Sequence, residues 1–140
     1  MTSPLSLACR ALALCLPLAF VAAPAQAQDA DQLTQQCEKY KTSYDQTYCV
    51  AKLFLASDDE LNAIYKKLKG KTQGEVQKSL VQVQRDWIKY RNNACERRGR
   101  IDVNCNFRVN RDRTNALRDR LRECETGSCN NELIGKPSWQ

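Results

Sequence analysis

Six cysteines downstream of an apolar leader, in a chain with no histidine, constrain this sequence more than any other feature. The leader spans residues 1–27. Arg10 is its only charge, a leucine-rich stretch follows, and small residues close it at Ala22, Ala23, Ala25 and Ala27. That order is the pattern of a secretory signal peptide, with cleavage before Gln28 or two residues earlier. The apolar run is too short for a good membrane span. Lipid attachment would need a small residue directly ahead of the modified cysteine, but Cys15 follows Leu14, and Cys9 precedes most of the apolar core. The expected product is a soluble exported protein, periplasmic or secreted. It loses Cys9 and Cys15 and keeps Cys37, Cys49, Cys95, Cys105, Cys124 and Cys129.

An even cysteine count in a small exported domain points to disulfides. Structural zinc sites draw on histidine or closely spaced cysteine pairs, and neither is present. Residues 28–140 suffice for one small core and not for two. They divide into a helical domain, 28–126, and a tail, 127–140, marked by Gly127, Asn130, Pro137 and Ser138.

Within the domain, residues 43–69 put Ala51, Phe54, Leu61, Ile64, Tyr65 and Leu68 on one helical stripe. Ser43 and Gln46 have the spacing of a capping box, and the segment from Gly70 to Gly74 supplies a stop and a turn. Residues 75–98 carry Val76, Leu80, Val83, Trp87, Arg91 and Ala94 at spacings of four and three, the seam of a bundle helix. After a break at 99–104, residues 106–123 turn Phe107, Leu117 and Leu121 inward among charged neighbours. The expected fold is all-α: a small three-helix bundle, a helical hairpin plus a third helix, stapled by disulfides. Folding the first two helices about a turn near Thr72 levels Cys49 with Cys95, at a rise of about 1.5 Å per residue. The first-choice pairing is therefore Cys49 with Cys95, Cys37 with Cys105, and Cys124 with Cys129. The sequential alternative, Cys37 with Cys49 and Cys95 with Cys105, stays open.

A hydrolase built on a histidine base is excluded by composition. Carboxylates would have to serve, and Asp58, Asp59, Glu60 and Asp86 are the candidates. Adjacent helical residues diverge, however, and acids near a helix start are ordinary partners of its dipole. No Gly-rich phosphate loop, nucleotide fingerprint or nucleophile elbow is present. An oxidising compartment favours paired, inert cysteines over a reactive thiol. No enzymatic activity and no cofactor are expected. Trp87 and Tyr65 belong to inner faces. Arg91 is expected to pair with Asp58 or Asp59, with Asn62 bonding in that neighbourhood.

Two segments carry a resemblance. Asp58, Leu61, Asn62 and Tyr65 form D-x-x-L-N-x-x-Y, and Gln84, Trp87, Tyr90 and Arg91 form Q-x-x-W-x-x-[YF]-R, with cysteines bracketing both. Over roughly residues 37–121 the chain resembles the bacterial LprI-type lysozyme inhibitor domain. The resemblance implies a non-catalytic inhibitor that binds lysozyme or another peptidoglycan hydrolase and blocks its cleft. Familiar animal lysozymes are basic, and this chain has a net charge of +6, so long-range steering would oppose the encounter. A local acidic patch at Asp58, Asp59 and Glu60 is the candidate inhibitory contact.

Most of the positive excess lies after residue 84. The alternative reading is a binding module for an anionic envelope component or an acidic protein partner, with Arg111, Arg113, Arg118, Arg120 and Arg122 of the third helix as anion contacts. A plain solvated face competes with it, because Asp112, Asp119 and Glu123 interrupt the run. Nucleic acid is not an expected partner of an exported chain.

Overall fold

A computed structural model describes residues 30–139; the leader and its two cysteines lie outside the described residues. Five helices and one short hairpin follow in order: α1 (Ala30–Glu38), α2 (Ser43–Lys71), α3 (Gly74–Cys95), β1 (Glu96–Arg97), β2 (Arg100–Ile101), α4 (Val103–Glu125) and α5 (Asn131–Ile134). The three long helices form the expected stapled, all-α bundle.

Local chemistry sets the boundaries. Thr42, one residue ahead of the expected cap, starts α2: its hydroxyl accepts from Asp45 N (3.0 Å) and donates to Asp45 Oδ2 (2.7 Å). Gln46 instead donates to Glu38 O and Tyr40 O, closing the turn from α1. Gly70 sits inside α2, and the turn itself is Thr72 and Gln73. Gln77 Nε2 seals it by donating to Lys69 O and Thr72 O. Helix α3 stops at Cys95, short of the expected 98, because Arg98 and Gly99 both take positive φ (53° and 73°) and reverse the chain. Asp102 then caps α4 by accepting from Cys105 N at 2.9 Å, so α4 begins three residues earlier than its apolar pattern suggests.

Contacts advance together along α2 and α4, as in Ser57 with Asn110 and Glu60 with Arg118, so these helices run parallel and α3 runs antiparallel to both. The closest backbone approach is between α2 and α4 rather than between α2 and α3. Ser57 on α2 and Asn110 and Thr114 on α4 are buried and short, which helps the two backbones draw together. Leu80, Val83 and Trp87 are the bulkier buried residues of α3. Leu61, Leu68, Leu80, Trp87, Leu117, Leu121 and Ile134 make one continuous apolar core.

The disulfide pairing corrects the first-choice expectation. Cys37 joins Cys49 (Cα–Cα 5.6 Å), tying α1 to α2, and Cys95 joins Cys105 (5.4 Å), closing the hairpin between α3 and α4. Cys124 pairs with Cys129 as expected. Matching heights on α2 and α3 did not decide the matter. A bridge needs Cα atoms within about 7 Å, and α2 makes its close approach to α4, leaving Cys49 to the unforeseen α1. The supposed tail also departs from expectation. Helix α5 folds back on α3, Ile134 is buried, and Trp139 lies against Tyr90 with ring centroids 6.0 Å apart. Among the described residues no helix is long and apolar enough to cross a membrane.

Candidate functional site

A polar clasp occupies the core beyond its apolar half and is built by all three long helices. Asp58 on α2 accepts from Arg91 Nη1 of α3 at 3.0 Å and from Asn110 Nδ2 of α4 at 3.2 Å on one oxygen, and from Asn62 Nδ2 at 3.2 Å on the other. Asn110, with no solvent exposure, also donates to Ser57 Oγ and accepts from Arg91 Nη1. The Arg91 guanidinium lies over the Trp87 ring, 5.1 Å from its centre. Arg91 thus takes the partner expected of it.

A second polar group lies farther along α4. Arg113, only 4% exposed, donates from Nε to Gln84 Oε1 at 3.0 Å and from Nη1 to Ser138 Oγ at 3.3 Å, and it stacks on Trp139. Burial pulls its guanidinium down to about 10, partly offset by Tyr65, while burial raises the Tyr65 phenol above its ordinary value. Asp58, Leu61, Tyr65, Gln84, Trp87, Tyr90 and Arg91 are therefore engaged within the bundle, while Asn62 is exposed and bonds along α2 to Asp58. Asn110 and Arg113 are inward residues that the apolar pattern alone does not reveal. The signal for them is the three-and-four rhythm they continue between Phe107 and Leu117.

The surface charges sort differently from the sequence expectation. In the acidic cluster, Asp58 belongs to the clasp and Glu60 pairs with Arg118, which leaves Asp59 as its exposed member. Asp86 is half-exposed on α3, held below the usual carboxylate range by a hydrogen bond from Gln82 and then by Lys89. On α4, Arg113 is buried and drops out of the proposed anion face. Arg118 pairs with Glu60, Arg120 with Glu123 at 2.7 Å, and Arg122 with Asp119, while Arg111 lies over Phe107.

The end of the bundle where α2 and α4 start and α3 finishes is held by two disulfides. It carries the hairpin with Arg97, Arg98, Arg100 and a 71% exposed Ile101. At the same end the start of α2 presents Tyr44 and Tyr48, stacked with centroids 6.4 Å apart and both well exposed.

The family model described as Lysozyme inhibitor LprI matches residues 34–117, more than half the chain. This chain belongs to the LprI family. The matched span begins in α1 and ends within α4, so it covers the clasp, the motif residues and the hairpin. The LprI family is one of lysozyme inhibitors, a binding role rather than a catalytic one. No curated protein and no solved structure matches the chain. All six cysteines of the described residues are committed to bridges, and no group of three or more His, Cys, Asp or Glu among those residues is placed to hold a metal ion.

Proposed function

We propose that this LprI-family protein is exported to the cell envelope, binds a lysozyme-type peptidoglycan hydrolase and blocks it without chemistry of its own. The observation that carries this reading is the family match, set beside the fate of the motif residues. Apart from the exposed Asn62, they are spent on holding three helices together, which supports a rigid scaffold rather than a reaction centre. A preformed, disulfide-held surface loses little conformational entropy on association. Three disulfides suit an oxidising compartment and support export. The exposed tyrosines and arginines at the doubly stapled end are the residue types that dominate binding hot spots.

The direct experiment is a titration of the oxidised mature protein into peptidoglycan-lysis assays with a panel of lysozyme types. Saturating inhibition of one type at near one-to-one stoichiometry is expected. No inhibition across the panel would overturn the proposal and leave the family resemblance describing only a fold.

A further inference from the structure

We propose that the hairpin Arg97 to Ile101 is the element that enters the target, its arginines lying against the acidic cleft of the glycoside hydrolase. The inference rests on the inhibitor reading above and names the contact surface within it.

The hairpin breaks two local rules at once. Its two-residue turn is Arg98 and Gly99, both at positive φ. Glycine, asparagine and aspartate suit the first of these positions, whereas an arginine Cβ meets steric resistance there. Arg98 recovers nothing inside the molecule, since among the described residues it makes no hydrogen bond or ion pair. The strands also set Arg97 directly opposite Arg100, a like-charge pair that weakens a hairpin. Glu96 lies in the same strand as Arg97, and among the described residues the acid that forms an ion pair with these arginines is Asp102, 3.5 Å from Arg97 Nε, which already caps α4. Residues that cost local stability without an internal return mark places where a side chain serves a partner.

The same hairpin is held in position. The Cys95–Cys105 bridge closes its base, and Asp102 N donates to Cys95 O at 2.8 Å. A projecting finger with three guanidinium groups and an exposed Ile101 is therefore presented ready-made. A glycosidase cleft offers the complement, because two carboxylates flank the scissile bond and guanidinium groups bind carboxylates in bidentate fashion. The local match also answers the electrostatic objection. A basic lysozyme repels a basic inhibitor at long range, yet the two carboxylates of a glycosidase cleft attract guanidinium groups at close range. The acidic cluster on α2, by contrast, is largely neutralised by Arg91 and Arg118.

The test uses the whole mature protein carrying Arg98→Asn together with Arg100→Gln. Asparagine suits the left-handed turn position, and removing Arg100 relieves the opposed charges, so the variant should melt no lower than the wild type. Its inhibition of the lysozyme that the wild type blocks should nevertheless weaken roughly 30-fold or more, the scale of losing charge pairs desolvated at an interface. Asp59→Asn, altering the exposed acid of α2, should inhibit like the wild type. A soluble chitin oligosaccharide that fills the cleft should displace the wild type competitively. If the wild type inhibits but the hairpin variant stays within about threefold of it, the hairpin assignment is wrong and the inhibitor reading stands. If Asp59→Asn rather than the hairpin change abolishes inhibition, the contact lies on α2. If the wild type inhibits no lysozyme in the panel, both proposals fall together.

Discussion

Asn110 carries more of this fold than its side chain's size suggests. It is fully buried and bridges Ser57, Asp58 and Arg91, so one amide links α4 to both other long helices. Asp58 keeps about a third of its side chain exposed, which tempers the charge pair, whereas the amide has no water to fall back on. Replacing Asn110 with Ala removes its three hydrogen bonds and leaves a void and an unpartnered Ser57 hydroxyl beside an Arg91–Asp58 pair that stays joined, and should cost about 2–3 kcal/mol. The check is the urea midpoint, which should fall with an unchanged m-value, while inhibition by the folded fraction persists. An unchanged midpoint would mean that water takes the amide's place. At this scale the pairing of Arg91 with Asp58 was legible, because opposite charges sat on facing stripes of two clear helices. Asn110 and Arg113 were not, because polar letters among many charges look solvated until a neighbouring helix covers them.

At the scale of elements, the long helices were readable because each buries a stripe with its own periodicity. Helices α1 and α5 were not: nine and four residues are too few to be stable alone, and both depend on docking and on a nearby bridge. The disulfide pairing was illegible for a related reason. Height along a helix is fixed by sequence, but the distance between helices is fixed by the side chains between them, and α2 drew close to α4 instead of α3. The bridges also divide by end of the bundle, which makes their roles separable. Removing Cys95–Cys105 as the double serine variant opens a loop spanning a sequence separation of 10 and should cost about 2–3 kcal/mol. Because that bridge closes the base of the hairpin, inhibition should weaken as well. Removing Cys124–Cys129, at the opposite end of α4, should lower the melting temperature yet leave inhibition by the folded protein intact. Equal loss of inhibition from both variants would mean that the bundle's general rigidity, and not the hairpin end, sets affinity.

For the whole molecule the governing quantity is net charge, +6 over the chain and still positive without Arg10 of the leader. Against a basic lysozyme, two positive bodies must approach before a basic hairpin can meet an acidic cleft, and the two effects act over different distances. Long-range repulsion extends over a Debye length of about 30 Å at 0.01 M salt and about 8 Å at 0.15 M, so added salt removes most of it. Contacts desolvated inside a cleft are screened far less. Association should therefore accelerate several-fold between those salt concentrations while dissociation changes little, and affinity should rise with salt, the reverse of a simple polyanion binder. Stopped-flow or surface-based kinetics at the two concentrations would separate the rates. An association rate that falls with salt would show that the hydrolase is attractive at long range. The natural target would then be an acidic wall hydrolase, and the positive charge of this chain would be a steering device rather than an obstacle that the hairpin overcomes.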